Sequence, residues 1–330
     1  MRRREVSILL GAAMTPSTVW PFAAHTQQKA TPVLGYLGAG TPGAFAQFVA
    51  AFREGLSETG YVEGQNLTID YRWSEGLYDR LPAFAADLVG RKVDVIVADA
   101  DPAAYAAKNA TSTIPIVFVF GADPVRQGLV ASLAQPGGNL TGVSFLTAEL
   151  VAKRFELLSE LVPQAKTVAV LFGPTITNSM RTMPANVQEA ARVKGVQLLI
   201  VKASSESEID AAFAAVVQQQ AGALLVSPNP FLFSRREQIA ALALHLSVPA
   251  ISSGREFAMA GGLISYGTPF TPVARQVGIY AGKVLKGARP ADLPVVQPTT
   301  FELVINLKTA RALGLTIPPS ILSRADEVIE

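Results

Sequence analysis

Short apolar runs alternate with longer amphipathic stretches along most of the chain. VDVIVA at 93–98, IPIVFVF at 114–120, TVAVLF at 167–172 and GALLVS at 222–227 are almost wholly apolar. Runs of this kind mark strands buried on both faces of a parallel sheet. Between them, FAQFVAAFREGLSETG, DRLPAFAADLVGRK, VAKRFELLSELV, VQEAARVKG, EIDAAFAAVVQQQ and REQIAALALHL repeat their apolar positions at helical spacing. The pattern predicts strands at 33–37, 67–73, 93–98, 116–120, 141–145, 168–172, 197–201, 223–227, 249–252, 263–266 and 301–307. Gly60, Gly195 and Gly222 fall where helix-ending glycines are expected. The fold class is α/β. Eleven strands exceed one comfortable sheet in a chain of 330 residues. Two lobes, each a parallel sheet flanked by helices, account for them better. Segments 140–150, 265–267 and the Pro-rich 289–298 are the expected crossovers. They divide the chain into an N-terminal lobe of 32–143 plus 267–297 and a C-terminal lobe of 144–266 plus 298–330.

The first 28 residues follow a different pattern. Arg2, Arg3 and Arg4 precede a short apolar run from Val6 to Ala13, and Ala23 and Ala24 precede the polar Thr26-Gln27-Gln28. This is the layout of a cleavable export signal, and the run is too short to span a bilayer. It predicts a periplasmic protein exported by the general or the twin-arginine route. Half of the residues are hydrophobic, 16% are charged and the net charge is +2, most of it supplied by the leader. A near-neutral mature chain has no basic stripe for nucleic acid. The chain has no cysteine and only two histidines, His25 and His245. That removes thiol chemistry, disulfides, Cys-ligated metals and multi-His metal sites. His245 lies in the apolar stretch AALALHLSV and reads as structural.

In open α/β sheets, ligands sit beyond the carboxyl ends of strands, near helix N-termini. That rule selects the loops 38–41, 99–102, 121–124, 173–178, 227–231 and 252–256. Gly38, Gly40 and Gly43 match a dinucleotide-type glycine pattern. No acidic residue ends the second strand, however, where a ribose would need one. A Gly-rich turn facing a cleft is the better reading. Asp101-Pro102 and Asp123-Pro124 read as helix caps. Asp99 is not needed for capping and can accept a positive group. Phe231 is either packing or an aromatic wall, and Arg255 either a surface ion pair or a grip on a ligand carboxylate. No nucleophile–base–acid set and no G-x-S-x-G, H-E-x-x-H or Walker A motif is present, so the sequence points away from an enzyme.

Several blocks are specific: FREGLSETGYVEGQNLTIDYRWSEG, AAKNATSTIPIVF, DPVRQGLVASLAQPGGNLTGVS, KRFELLSELVP, VPAISSGREFAMAGGLISYG and the run from Gly282 to Glu330. On these the chain resembles the ABC-transporter substrate-binding proteins typified by a tryptophan/tyrosine uptake component, from Val33 onward. The resemblance implies a type I periplasmic-binding fold, with two Rossmann-like lobes, three hinge crossovers and a ligand in the cleft. It implies capture of a small polar ligand, an amino acid or small organic acid with aromatic ones included, by lobe closure. The ligand then passes to ABC permease and ATPase subunits. No cofactor, no nucleic acid and no membrane contact except through the permease are expected. The expected ligand-binding residues are Gly40, Thr41, Asp99, Ala100, Asp101, Gly121 and Ala122, facing Asn178, Asn229, Phe231 and Arg255. Asp99-Ala100-Asp101 and Ser252-Ser253-Gly254 depart from the family pattern, so the ligand is not inherited with the fold. A sensory module presented to a membrane receptor is the alternative role.

Overall fold

The computed structural model describes residues 31–175 and 185–330. The leader and Asn178 lie outside the described residues. Twelve strands are described: β1 (Val33–Gly38), β2 (Thr68–Trp73), β3 (Val95–Asp99), β4 (Ile116–Phe120), β5 (Leu140–Ser144), β6 (Thr167–Phe172), β7 (Gln197–Lys202), β8 (Ala223–Val226), β9 (Ala250–Ser252), β10 (Ile264–Gly267), β11 (Glu302–Asn306) and β12 (Glu327–Ile329). The helices are α1 (Ala46–Glu58), α2 (Leu81–Gly90), α3 (Asp101–Ala110), α4 (Val151–Leu161), α5 (Ala185–Lys194), α6 (Glu206–Gln218), α7 (Pro230–Ser234), α8 (Arg236–His245), α9 (Arg255–Met259), α10 (Phe270–Leu285), α11 (Leu307–Ala312) and α12 (Pro319–Leu322). None is long and apolar enough to cross a membrane among the described residues.

The strands form two sheets. The first runs β2-β1-β3-β4-β5 and is parallel throughout. The second runs β12-β11-β10-β9-β8-β6-β7 and is parallel except where β10 meets β11. The apolar runs lie where their composition placed them: β3 and β4 are buried at every position. One face of the first sheet packs on α1 and α10, the other on α2 and α3. The second sheet is covered on one face by α4 and α5 and on the other by α6 and α8. The chain passes between the layers three times. It leaves β5 for α4, leaves β10 for α10, and returns from Val296, which bridges to Val143, to β11.

Three points of the sequence reading need correction. β12 was not foreseen, because Glu327–Ile329 is a short edge strand with an exposed apolar residue, Val328. Gly60 and Gly195 do take the left-handed turn after their helices, but at the end of α6 Gln220 takes it instead. Gly222 is required by close packing: a Cβ there would lie 2.9 Å from the Cβ of Ala165. His245 closes α8 and is exposed, so it carries no packing role.

Candidate functional site

Strand order reverses between β1 and β3 in the first sheet and between β6 and β8 in the second. The carboxyl ends of these strands face a common cavity of about 530 Å³. Phe45, Phe48, Asp99, Asp101, Gly121 and Ala122 line it from the first sheet, with Ala100 between the two acids. Gly173, Pro174, Ser227, Asn229, Phe233, Ser252 and Ser253 line it from the second, and Phe145, Thr147 and Phe270 from the crossing segments.

Asp99 ends β3 and is 3% exposed. Its Oδ2 accepts a 2.9 Å hydrogen bond from the Tyr36 hydroxyl on the neighbouring strand. Burial pushes the Asp99 carboxyl up to about 7, against the opposing pull of that bond. Asp101 does not cap α3, as the sequence suggested; the helix begins at Asp101 itself. Its Oδ1 instead accepts from the Gly121 N–H at 2.6 Å, which ties the loop after β4 to the start of α3. Burial raises this carboxyl to about 6. Ala100 between them has φ 84° and ψ 161°, a region in which only glycine is at ease. Asp123 organises a turn and caps no helix, accepting from the N–H groups of Val125 and Arg126.

Across the cavity, Asn229 caps α7 and accepts from Phe231 N–H and Leu232 N–H. Its Nδ2 donates to Pro174 O at 2.9 Å. The Tyr78 hydroxyl, from the first half, donates to Asn229 Oδ1 at 3.1 Å and accepts from Phe231 N–H at 3.3 Å. Nearby, Thr41 N–H donates to Ser234 Oγ at 3.3 Å, and the Phe45 and Phe233 rings meet edge to face at 5.0 Å. Side chains of the two layers are therefore already in contact along one edge of the cleft.

Asp99, Ala100, Asp101, Gly121, Ala122 and Asn229 are thus brought together around one space. Gly40, Thr41, Phe231 and Arg255 are not part of its wall. A Cβ at Gly40 would lie 2.2 Å from the Phe45 ring, and one at Gly38 2.3 Å from Trp73, so aromatic side chains cover this turn. Phe231 is buried in the core under the second sheet. Arg255 is held by Glu302 at 3.6 Å and by Glu327. The aromatic wall is Phe233, two residues on, which stacks edge to face on Phe270 at 5.2 Å and lies under the Arg236 guanidinium at 4.8 Å.

Sequence reasoning also missed Arg154. It is 0% exposed and forms no ion pair with the described carboxylates. Its Nε donates to Tyr266 O at 2.7 Å, Nη1 to Thr147 O at 2.9 Å and Nη2 to Thr147 Oγ1 at 2.8 Å. Burial lowers its pKa to about 9. One guanidinium therefore fastens two of the three crossing segments together, and Thr268 Oγ1 adds a bond to Phe145 O at 3.3 Å. The signal was present: Val151, Arg154, Phe155, Leu158 and Leu161 share one stripe of α4, so an arginine stood in an apolar face.

The sequence profile of the family described as ABC transporter substrate binding protein matches residues 42–329. The chain is 30% identical over 264 residues to the tyrosine-binding protein of Clostridioides difficile, covering 80% of this chain and 75% of that one. A conserved domain protein from Vibrio cholerae superposes with a TM-score of 0.81 at 29% identity, covering 90% of this chain and 99% of the other. An ABC domain from Streptococcus pneumonia, in complex with L-Trp, superposes with a TM-score of 0.77 at 29% identity, covering 90% and 100%.

Proposed function

This chain belongs to the ABC transporter substrate-binding protein family, and we propose that it captures an amino acid or small organic acid with an aromatic body. The observation that carries this reading is the cavity at the paired switch points, walled by Phe45, Phe48, Phe145, Phe233 and Phe270 and carrying polar groups at its ends. The relatives named for tyrosine and solved with L-Trp support an aromatic ligand. Residues 32–143 with 267–297 act as one lobe and 144–266 with 298–330 as the other. Rotation between them is absorbed near Ser144, Tyr266 and Pro298. Asp99, Ala100, Asp101, Gly121 and Ala122 receive the ligand first. Asn229 and Phe233 then close over it, with Asn178 as a further contact. A ligand shifts the open–closed equilibrium only by its preference for the closed form. Residues 1–28 direct the chain to the periplasm, where it hands its ligand to the permease and ATPase subunits of the importer.

The test is a thermal-shift screen on mature protein refolded from denaturant, which strips carried ligand. Amino acids, aromatic acids, small carboxylates, sugars and polyamines form the panel. A ligand at 100 times its dissociation constant stabilises by about 2.7 kcal/mol. Selective stabilisation by aromatic compounds is the expected result. Stabilisation only by sugars, or turnover of a bound compound, would sink the reading.

A further inference from the structure

A buried cation without a carboxylate partner is costly, yet the fold keeps one where two crossing segments meet. Arg154 is 0% exposed and forms no ion pair with a described carboxylate. An apolar side chain of similar volume would fill this stripe of α4 at lower cost. What the guanidinium adds is its planar fork of donors. Nε donates to Tyr266 O at 2.7 Å, on β10. Nη1 and Nη2 donate to Thr147 O at 2.9 Å and to Thr147 Oγ1 at 2.8 Å. Arg154 itself is not part of the cavity wall, whereas Thr147 is.

Each end of the fork is tied to a loop that faces the cavity. The first crossing is bonded repeatedly to the end of β4 and the loop after it. Phe145 N–H donates to Phe120 O at 3.0 Å, Ser144 Oγ to Ala122 O at 2.9 Å and Ala148 N–H to Gly121 O at 3.1 Å. A Cβ on Gly121 would lie 3.1 Å from the Thr147 methyl. Gly121 N–H in turn donates to Asp101 Oδ1 at 2.6 Å. Leu146 holds φ 46°, a left-handed conformation that a bulky residue adopts only where its surroundings impose it. On either side of it, Phe145 O accepts from Thr268 Oγ1 and Thr147 O from Arg154. On the second crossing, a Cβ on Gly267 would lie 2.1 Å from Ser253 O and 3.3 Å from Arg154 Nη2. Ser253 lines the cavity from the second sheet as Gly121 does from the first. The guanidinium therefore links the two loops, through Thr147 on one side and through Tyr266 and Gly267 on the other.

We propose that Arg154 is a positioning residue for capture, a role that rests on the capture reading above. It makes the first and second crossings turn as one and fixes the spacing of the Gly121 and Ser253 loops. It touches no ligand in this role and acts through Thr147, Ala148 and Gly121. Without the fork, each crossing changes its dihedrals independently and the two loops lose their fixed spacing.

Arg154→Lys keeps the charge and removes the fork. Phe213→Leu, in the core on the α6 face of the second sheet, is the control that lowers stability without touching the crossings. Both are studied as mature protein well below their melting temperatures. Hydrogen-exchange mass spectrometry needs no ligand. In Arg154→Lys, segments 121–124 and 145–148 should both exchange about tenfold faster, beyond any change shared by α6. Exchange that rises at 145–148 alone, or at neither segment, overturns the coupling. L-tryptophan is then titrated calorimetrically. Arg154→Lys should weaken its binding about tenfold, and Phe213→Leu by less than about twofold. Asp101→Ala frees the Gly121 N–H, and combined with Arg154→Lys it should cost much less than the product of the two single losses, because both act on Gly121. Unchanged affinity in Arg154→Lys, a loss no larger than that of Phe213→Leu, or losses that multiply would leave Arg154 a structural residue only. If Arg154→Lys does not fold, Thr147→Val, which deletes only the Nη2 bond, carries the same tests with an expected loss of about threefold. Unchanged exchange and affinity there overturn the role as well. A panel compound that binds where L-tryptophan does not takes its place in the titration. If the unsubstituted protein binds neither L-tryptophan nor any compound of the thermal-shift panel, the capture reading falls and the role of Arg154 falls with it.

Discussion

Replacing Tyr78 by Phe tests whether the contacts across the cleft belong to the closed form. The Tyr78 hydroxyl makes two bonds to the other half, to Asn229 Oδ1 at 3.1 Å and from Phe231 N–H at 3.3 Å. Phe fills the same space without the hydroxyl. Neither partner is orphaned, because Phe231 N–H still donates to Asn229 Oδ1 at 2.9 Å. The loss is therefore the net value of ordinary hydrogen bonds, about 0.5–1.5 kcal/mol each, with no added cost for a stranded polar group. A total of about 1–2 kcal/mol falls on the closed form alone and lowers its population about 5- to 30-fold. Ligand affinity should weaken by the same factor, since only the closed form holds the ligand fully. Titration calorimetry measures the affinity, and small-angle scattering with saturating ligand shows whether the closed dimensions are still reached. Unchanged affinity in a folded Tyr78→Phe protein would falsify the assignment of these bonds to closure.

Arg154→Met strands the carbonyls of Thr147 and Tyr266, and should lower unfolding stability by about 2–4 kcal/mol in urea melts. Arg154→Lys should rescue little, because one ammonium cannot reproduce the fork. Arg255→Ala should leave ligand affinity within about threefold and stability within about 1 kcal/mol, since the pairs to Glu302 and Glu327 are partly exposed. Ala100→Gly relieves a conformation that suits glycine and should stabilise the protein by about 1 kcal/mol, read as a higher melting temperature. The Asp99 carboxyl binds its proton more tightly folded, at about 7, than at its ordinary 3.8. Between those values the folded chain holds a proton that the unfolded chain has lost. The stability of the ligand-free protein should therefore fall as pH rises from about 4 to about 7 and then level off. Asp101 acts in the same direction up to about 6. Urea melts across this range should show the slope, and Asp99→Asn should flatten it.

Much of the frame was legible because its strands are buried on both faces. VIVAD and IVFVF have no polar face to confuse with a helix, and the acids that end or follow β3 could be placed at the cavity from their position alone. What sequence could not show depends on partners distant in the chain. Arg255 could be read as a surface ion pair or as a grip on a ligand until β11 and β12 brought Glu302 and Glu327 beside it. Phe231 and Phe233 stand two apart on the single turn of α7, and only packing decides that the first goes to the core and the second to the ligand side. Asp101 had every local mark of a cap, yet its carboxyl was claimed by Gly121 from the next strand's loop. Arg154 was readable in principle, as the polar member of an apolar stripe. Its role required Thr147 and Tyr266 to meet it from separate crossings.

The packing of α1 against α10 has a consequence for the order of events at synthesis. A Cβ on Gly55 would lie 2.0 Å from Arg275 O, and one on Gly278 2.1 Å from Phe52 O, so the two helices touch backbone to backbone. Together they cover the face of the first sheet that carries Tyr36, Val95, Val97, Val117 and Val143. The strands of that sheet leave the ribosome long before Phe270 does, and they have half a cover until Leu285 follows. The second helix of that cover is therefore made only after β6 to β10 of the other sheet.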